Sequence, residues 1–340
     1  MVAAKPSSVG RASARHVGLH PQGVGRGCKG LKPQQRTLKP DLQSSRLSPQ
    51  FGSLNSRLSA GFTLIEMIMV IVITGILGGI IATVLKAPVQ QFVDVSRRAE
   101  MTDIADTALY RLASEISSAV PNSIRVAGCG TTPCVEFLPT LDGGRYRASA
   151  AGGAGLCGLA GDELDFTTAD TCFEIIGPPV TFAAGDRIVL GSTQSNGNPP
   201  YDATAAGVLR AYTGAVGAQA SVSFTGTQFP LFAALPSQRF DVVPGDQQAV
   251  TYACEGTLGV VGGNGQGQLV KRWGYGFNVA QAAPSGLGGS SAILADKVSA
   301  CVIDYDTSNQ RMGLLGVRLT LTSGDEQVSL YHEIHVNNTP

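Results

Sequence analysis

The sequence Gly61-Phe62-Thr63-Leu64-Ile65-Glu66 opens an almost unbroken apolar run that ends near Leu85. The 24 residues from Phe62 to Leu85 would form a helix about 36 Å long. The hydrocarbon core of a bilayer is about 30 Å thick, so this run can cross it with some tilt. Glu66 is the exception, because a carboxylate inside a spanning helix costs roughly 2.5–3.5 kcal/mol on insertion scales. Such an acid is interpreted by default as functional.

The net charge changes sign at Gly61. Residues 1–61 carry ten Lys and Arg against one acid, Asp41, for a net charge of +9, and residues 62–340 carry −9. A basic flank before an apolar span predicts a cytoplasmic N-terminus and an exported remainder. An acidic exported domain argues against a nucleic-acid partner.

The basic segment 1–61 is rich in Ser, Pro, Gly, Gln and Arg and lacks hydrophobic periodicity, so it is predicted to be a disordered leader. A secretory signal peptide has a shorter apolar core followed by its cleavage site, whereas here the small residue Gly61 precedes the run. Cleavage at Gly61 would remove the leader and keep the apolar segment. The leader is long, and a non-Met start codon before Met67 is an open alternative.

Six of the seven cysteines lie in the exported part, and Cys28 lies in the leader. An even set in an exported chain predicts disulfides formed in an oxidising periplasm. Six cysteines allow fifteen pairings, and sequence neighbours are expected to pair because each couple lies within one local unit. Free buried thiols are the alternative, and the lack of a CxxC pair disfavours a metal site. The expected bridges are Cys129–Cys134, Cys157–Cys172 and Cys254–Cys301.

The pattern predicts that the helix continues past the apolar run to residue 120. Asp94 with Arg98, and Arg111 with Glu115, are spaced as i,i+4 ion pairs on its polar side. The predicted helix 62–120 is therefore transmembrane over 62–86 and amphipathic over 87–120. Apolar residues recur at spacings of three and four at Val89, Phe92, Val93, Met101, Ile104, Ala105, Ala108, Leu109, Leu112 and Ile116.

Beyond Pro121-Asn122 the texture changes to short alternating segments separated by Gly, Pro, Asn and Asp. Residues 121–340 are predicted to form one β-rich domain, which gives an α+β fold with a long N-terminal helix. Gly-rich loops are predicted at 141–161, 191–207 and 256–267. Strands are predicted at 123–127, 134–138, 163–167, 172–176, 187–190, 208–212, 239–243, 249–254, 268–273, 298–305, 314–322 and 327–336.

A small residue, then Phe, then Glu five positions into the run, resembles the processing signature of type IV prepilins. The resemblance implies a pilin-like fold, cleavage between Gly61 and Phe62 by a membrane prepilin peptidase, and N-methylation of Phe62. A carboxylate in lipid needs a cation, and the new ammonium of Phe62 on a neighbouring subunit is available. Glu66 is then an assembly contact that sets the stagger of subunits. The alternative is a signal anchor whose acid lies near the interface.

Eight blocks of sequence carry a second, more specific resemblance: 111–116, 119–126, 134–139, 239–243, 250–254, 294–301, 316–322 and 330–336. They resemble the O-type minor pseudopilins of mannose-sensitive haemagglutinin (MSHA) pili. This resemblance implies a low-abundance subunit that helps to initiate or cap a pilus. The J-type minor pseudopilins of type II secretion are the alternative.

The resemblance also implies partners and a location. The partners would be prepilin peptidase, other minor and major pilins and the inner-membrane assembly platform. The location would be the bacterial inner membrane, single-pass with a periplasmic C-terminal domain, and then the pilus.

Glycines at positions 75, 78 and 79 interrupt the span. Each glycine weakens a helix by about 1 kcal/mol, which would let the segment melt partly on entering a filament, as in pilins. Close helix packing in the membrane is the equal alternative.

Other motifs are interpreted as structural, so neither an enzyme nor a cofactor or metal site is expected. His332 and His335 fall on opposite faces of a predicted strand. Residues 304–308 are predicted to form a hairpin turn, and the glycines of 262–267 a flexible turn. Residues 273–277 would place three aromatic rings on one strand face for core or subunit packing, with glycan stacking as the alternative.

Overall fold

One long helix, α1 (Leu64–Ser117), precedes a domain built of strands. The computed structural model describes residues 61–150, 155–157, 162–191, 193, 199–306 and 312–339. The predicted leader, with Cys28, lies outside the described residues except for Gly61. The predicted α+β architecture is confirmed.

Helix α1 begins two residues after the predicted start of 62 and ends three residues before the predicted end of 120. Its last turn is closed by serine hydroxyls, since Ser117 Oγ donates to Ser114 O at 2.8 Å and Ser118 Oγ to Glu115 O at 2.9 Å. These bonds satisfy carbonyls that a helix end leaves without partners.

The described residues contain sixteen strands, and the longest are near the C-terminus. The strands are β1 (Cys134–Phe137), β2 (Asp142–Arg145), β3 (Cys172–Glu174), β4 (Val180–Phe182), β5 (Arg187–Leu190), β6 (Leu209–Ala211), β7 (Gly217–Gln219), β8 (Ser221–Ser223), β9 (Arg239–Val243), β10 (Val250–Glu255), β11 (Val260–Val261), β12 (Asn264–Gly265), β13 (Gly267–Trp273), β14 (Ser290–Asp306), β15 (Met312–Ser323) and β16 (Glu326–Asn337).

Helix α1 packs on an antiparallel sheet of six strands in the order β1-β10-β13-β14-β15-β16. The helical residues in this core recur every three or four positions, so they form one stripe that faces the sheet. Tyr252, Leu269 and Val317 belong to the same core from the sheet side. The fully buried helical residues are Met101, Ala105, Ala108, Leu109, Leu112 and Ile116.

Strand β14 is longer than the predicted 298–305 because it pairs with two neighbours in succession. Its first part pairs with β13, from Ser290 opposite Trp273 to Val298 opposite Gly267. Its second part pairs with β15 from Val298 onward. Both ladders show a register shift near the junction, where Lys297 has a φ of 57°.

A second core lies around a four-stranded sheet in the order β2-β9-β5-β6 and two short ladders, β3–β8 and β4–β7. Aromatic rings fill it: Phe173 meets Phe240 edge-on at 5.3 Å between centroids, and Phe182 stacks on Tyr212 at 4.0 Å. Such ring pairs add about 0.5–1.5 kcal/mol each beyond their buried area.

A buried ion pair stands beside both cores. Arg125 Nε donates to Glu136 Oε2 at 2.9 Å, and the Arg125 guanidinium lies 3.6 Å from the centroid of the Tyr201 ring. Tyr201 Oη donates to Ser123 O at 2.9 Å. Burial raises the pKa of Glu136, although Arg125 opposes that shift. Only an isolated bridge between Arg125 and Glu136 forms here, so the predicted strand at 123–127 is wrong.

The short strands β4, β7 and β8 were not predicted. Three further errors in the strand prediction come from polar side chains and glycines. No strand forms at 163–167, because Asp165 Oδ1 accepts the Thr167 N–H at 2.6 Å and makes a local turn. Two predicted loops contain strands instead: β2 lies within 141–161, and the β11–β12 hairpin lies within 256–267. Their sequences are too rich in glycine to show the alternation of a strand.

Candidate functional site

The N-terminal part of α1, together with the residues before it, is the candidate functional site. Every residue from Gly61 to Val93 is exposed, and Phe62 is 76% exposed. Glu66 lies in the first turn of α1, where the helix dipole favours a negative charge. We call residues 64–93 the stem. It contains Glu66 and most of the predicted transmembrane segment 62–86.

The stem has the length and composition of a membrane span. Among the described residues, α1 is the one helix long and apolar enough to cross a bilayer. Its exposed apolar side chains include Ile71, Leu77 and Val84, at 64%, 52% and 64% exposure. Contiguous apolar surface of this extent marks a membrane or protein interaction site.

Two threonines in the stem form hydrogen bonds within the helix, a feature of membrane helices that the sequence analysis overlooked. Thr74 Oγ1 donates to Val70 O at 2.8 Å, and Thr83 Oγ1 donates to Ile80 O at 2.9 Å. Their hydroxyls therefore need no partner from outside the helix, which suits a hydrocarbon environment. The i−4 and i−3 spacing of hydroxyl to carbonyl could have been inferred from a helical prediction alone.

The three stem glycines pack against nothing in the part of the chain that the structure describes. A methyl group added at Gly75, Gly78 or Gly79 would meet no described atom within 4 Å. Neither the softened helix nor close packing against another helix is decided by this, so both sequence interpretations stay open.

Ion pairs mark the level at which α1 enters the domain. Arg98 pairs with Glu326 at the start of β16, and this contact raises the pKa of Arg98. Arg97 lies 3.7 Å from Asp94. The predicted Asp94–Arg98 pair is therefore wrong, because Arg98 pairs with Glu326, which is distant in sequence.

The C-terminal end of α1 is held by a lysine from the sheet. Lys271 Nζ donates to both carboxylate oxygens of Glu115, at 2.8 and 2.6 Å, and its side chain is 8% exposed. The ammonium also lies 5.6 Å from the Trp273 ring. Burial raises the pKa of nearby Tyr252, and the Glu115 charge adds to the rise. The docked half of α1 is thus fixed by packing and by charge.

The described residues contain three disulfides, with the neighbour pairing expected from the sequence. Cys129 is bonded to Cys134, Cys157 to Cys172, and Cys254 to Cys301. The last bridge joins β10 to β14, which are separated by β13 in the sheet. Its sequence separation of 47 residues corresponds to about 4 kcal/mol in the chain-entropy account of disulfide stabilisation.

The remaining motifs take structural positions. His332 lies on the inner, partly buried face of β16 and His335 on the exposed face, as predicted. The predicted turn at 304–308 is described only as far as Asp306. The aromatic residues of 273–277 do not share a strand face, because β13 ends at Trp273 and Gly274 has a φ of 72°. Trp273 packs on the helix core, whereas Tyr275 and Phe277 pack on the second core.

Comparison with known protein families gives a match at the start of α1 and the residues before it. Residues 56–82 match the family described as the prokaryotic N-terminal methylation motif. The match supports a type IV prepilin-like protein, a substrate of prepilin peptidase and a structural subunit rather than an enzyme. With the apolar helix, it also supports membrane anchoring. No curated protein and no solved structure matches the chain significantly.

Proposed function

We propose that this chain is a minor pilin that helps to initiate or cap an MSHA-type type IV pilus, near its tip. The observation that carries the proposal is one exposed stem bearing one large domain, residues 121–340. A domain of that size suits a tip position, where repeated packing around a fibre does not limit it. Residues 62–86 would cross the inner membrane, with the domain in the periplasm.

The proposed processing site is Gly61/Phe62. Cleavage there by prepilin peptidase leaves Phe62 as the first residue, with a methylated ammonium. The stem then associates with the stems of other minor and major pilins at the inner-membrane assembly platform, because its apolar surface is left uncovered by the residues that the structure describes.

Glu66 is proposed as the assembly contact. In lipid an ionised carboxylate costs roughly 2.5–3.5 kcal/mol, and pairing with the Phe62 ammonium of the adjacent subunit offsets that cost. Glu66→Val is expected to be cleaved normally but to enter assemblies poorly, and Glu66→Asp, which keeps the charge, to enter better than Glu66→Val. The measurement is the ratio of processed protein in the sheared-filament and membrane fractions. Equal incorporation of Glu66→Val and wild type would refute this role.

Deletion of the gene tests the finer assignment. Loss of surface pili with normal protein secretion is expected for an MSHA-type minor pilin. Loss of secretion with intact pili would instead assign the chain to the J-type minor pseudopilins of type II secretion. The adjacent genes are an independent test. A neighbouring gene for a retraction ATPase would indicate a pilus operon, whereas genes for a secretin-linked exporter would indicate type II secretion.

A further inference from the structure

The segment closed by the Cys157–Cys172 disulfide borders a cavity of about 270 Å³. Among the described residues that line this cavity, none carries a positive charge. We call it the acidic cavity, because four carboxylates line it, those of Asp162, Glu163, Asp165 and Asp170.

Two carboxylate oxygens in the acidic cavity are buried and lack a hydrogen-bond partner in the described part of the chain. Asp162 is 5% exposed, and its Oδ2 accepts the Cys157 N–H at 3.1 Å, but its Oδ1 has no partner. Glu163 Oε2 is buried in the same way. Such an oxygen is unfavourable whether its carboxyl group is ionised or neutral. Both oxygens are therefore available to a ligand.

The other two carboxylates already serve the loop around the cavity. Asp165 accepts hydrogen bonds from the hydroxyls of Thr167 and Thr168, at 2.6 and 2.7 Å, and these bonds lower the pKa of Asp165 to about 2. Asp170 Oδ2 accepts the Asp165 N–H at 3.1 Å. These bonds fix the loop and keep negative charge beside the cavity.

The charge of the cavity is not balanced by the arginine of the adjoining segment. The Arg147 carbonyl accepts the Leu164 N–H at 2.9 Å, next to Glu163, but the Arg147 guanidinium pairs with Glu174 at 2.6 Å. A water molecule would supply hydrogen bonds to Asp162 and Glu163 and leave their charge uncompensated. A bound cation compensates the charge as well, so the cavity favours a cation.

We propose that the acidic cavity binds a calcium ion through Asp162 Oδ1 and Glu163 Oε2. Carboxylate oxygens suit hard divalent cations. Among the described residues, no three Asp, Glu, His or Cys side chains form a ready group of metal ligands. Calcium does not require such a group, because its about six to eight ligands include backbone carbonyls and water. Magnesium demands a near-ideal octahedron, which an irregular loop is less suited to supply.

Thermal unfolding of the full-length, detergent-solubilised protein tests the site. Extracellular calcium sites bind with a Kd of about 10⁻⁴–10⁻³ M. After removal of metal with EDTA, calcium at about 10 mM is therefore expected to raise the melting temperature by about 4 °C. The same concentration of magnesium should raise it by less than half as much.

Asp162→Asn is expected to lose most of the calcium shift without melting lower in EDTA, because it removes an uncompensated buried charge. Glu163→Gln should lose part of the shift. The control is Asp186→Asn. Asp186 is 1% exposed, but its two oxygens accept the backbone N–H groups of Ala183 and Gly245. This control should melt at a lower temperature and keep the full calcium shift.

Two measurements on the wild type do not depend on any variant. Calorimetric titration with calcium chloride should give a Kd of about 10⁻⁴–10⁻³ M, and calcium should slow amide exchange between Asp162 and Cys172. The proposal is overturned by absence of calcium binding, by equal shifts with magnesium and calcium, by a full calcium shift in Asp162→Asn, or by slowed exchange only elsewhere. The proposed function stands in each case, because it does not depend on calcium.

Discussion

The two halves of α1 share one continuous backbone and differ in almost everything else. In the stem, Leu77 is 52% exposed and no residue before Asp94 is even partly buried. In the docked half, from Met101 to Ile116, a stripe of six residues is buried against the six-stranded sheet, with Leu112 at 0% exposure. Leucine is therefore exposed in the stem and buried in the core of the domain in the docked half.

The contrast shows where each half obtains its stability. The docked half is stabilised by packing within this chain, and its apolar residues keep to one face. The stem is apolar on all faces, which is the pattern of a helix that is covered by lipid or by other helices. None of the described residues of the domain covers it.

Equal truncations in the two halves should give the sharpest contrast. Leu112→Ala is expected to lower the free energy of unfolding by about 3 kcal/mol, because it leaves a cavity between α1 and the sheet. Leu77→Ala should change it by less than about 0.5 kcal/mol. Denaturant unfolding of the detergent-solubilised protein, followed by Trp273 fluorescence, measures both. Similar losses for the two variants would erase the distinction between the halves.

Ion pairs at the two ends of the docked half should differ in the same way, with a smaller effect. Lys271→Met is expected to cost about 2 kcal/mol, because it leaves the partly buried Glu115 with only its more exposed partner Arg111, at 3.3 Å. Arg98→Met, which removes a more exposed pair, should cost less than about 1 kcal/mol. The same unfolding assay applies. A larger loss for Arg98→Met than for Lys271→Met would mean that α1 is held mainly near Arg98 and not at its C-terminal end.

The smallest effect is expected in the stem itself. Gly79→Ala adds a methyl group into open space and should stabilise the local helix by about 1 kcal/mol, slowing amide exchange near residue 79 about fivefold. Exchange in the docked half around Leu109 should not change. A shift in domain stability would contradict the separation of the two halves.

The same variant distinguishes the two roles considered for the stem glycines. Alanine keeps a small side chain for close helix packing but stiffens the helix. A loss of incorporation into assemblies would favour a softened helix, whereas unchanged incorporation would favour packing.

The long elements could be predicted from sequence because their patterns are local. The apolar run, the three-and-four spacing from Met101 to Ile116 and the alternation in β15 and β16 each fix an element without reference to the rest of the chain. The neighbour pairing of cysteines also followed from local order. The stem as a candidate site depended on one residue, Glu66, whose cost in lipid is evident from its type.

Two of the wrong predictions depended on partners distant in sequence. Arg98 was predicted to pair with Asp94, four residues away, but it pairs with Glu326, which is 228 residues away in sequence. The first part of β14 was missed because its pairing with β13, and not its own alternation, makes it a strand.

Mass spectrometry of the intact N-terminus of membrane-extracted protein tests the central claim most directly. The claim is that the working subunit begins at Phe62, two residues before the stem. The predicted result is a mature chain whose first residue is N-methylated Phe62. Copies that all retain the residues before Phe62 would contradict the claim.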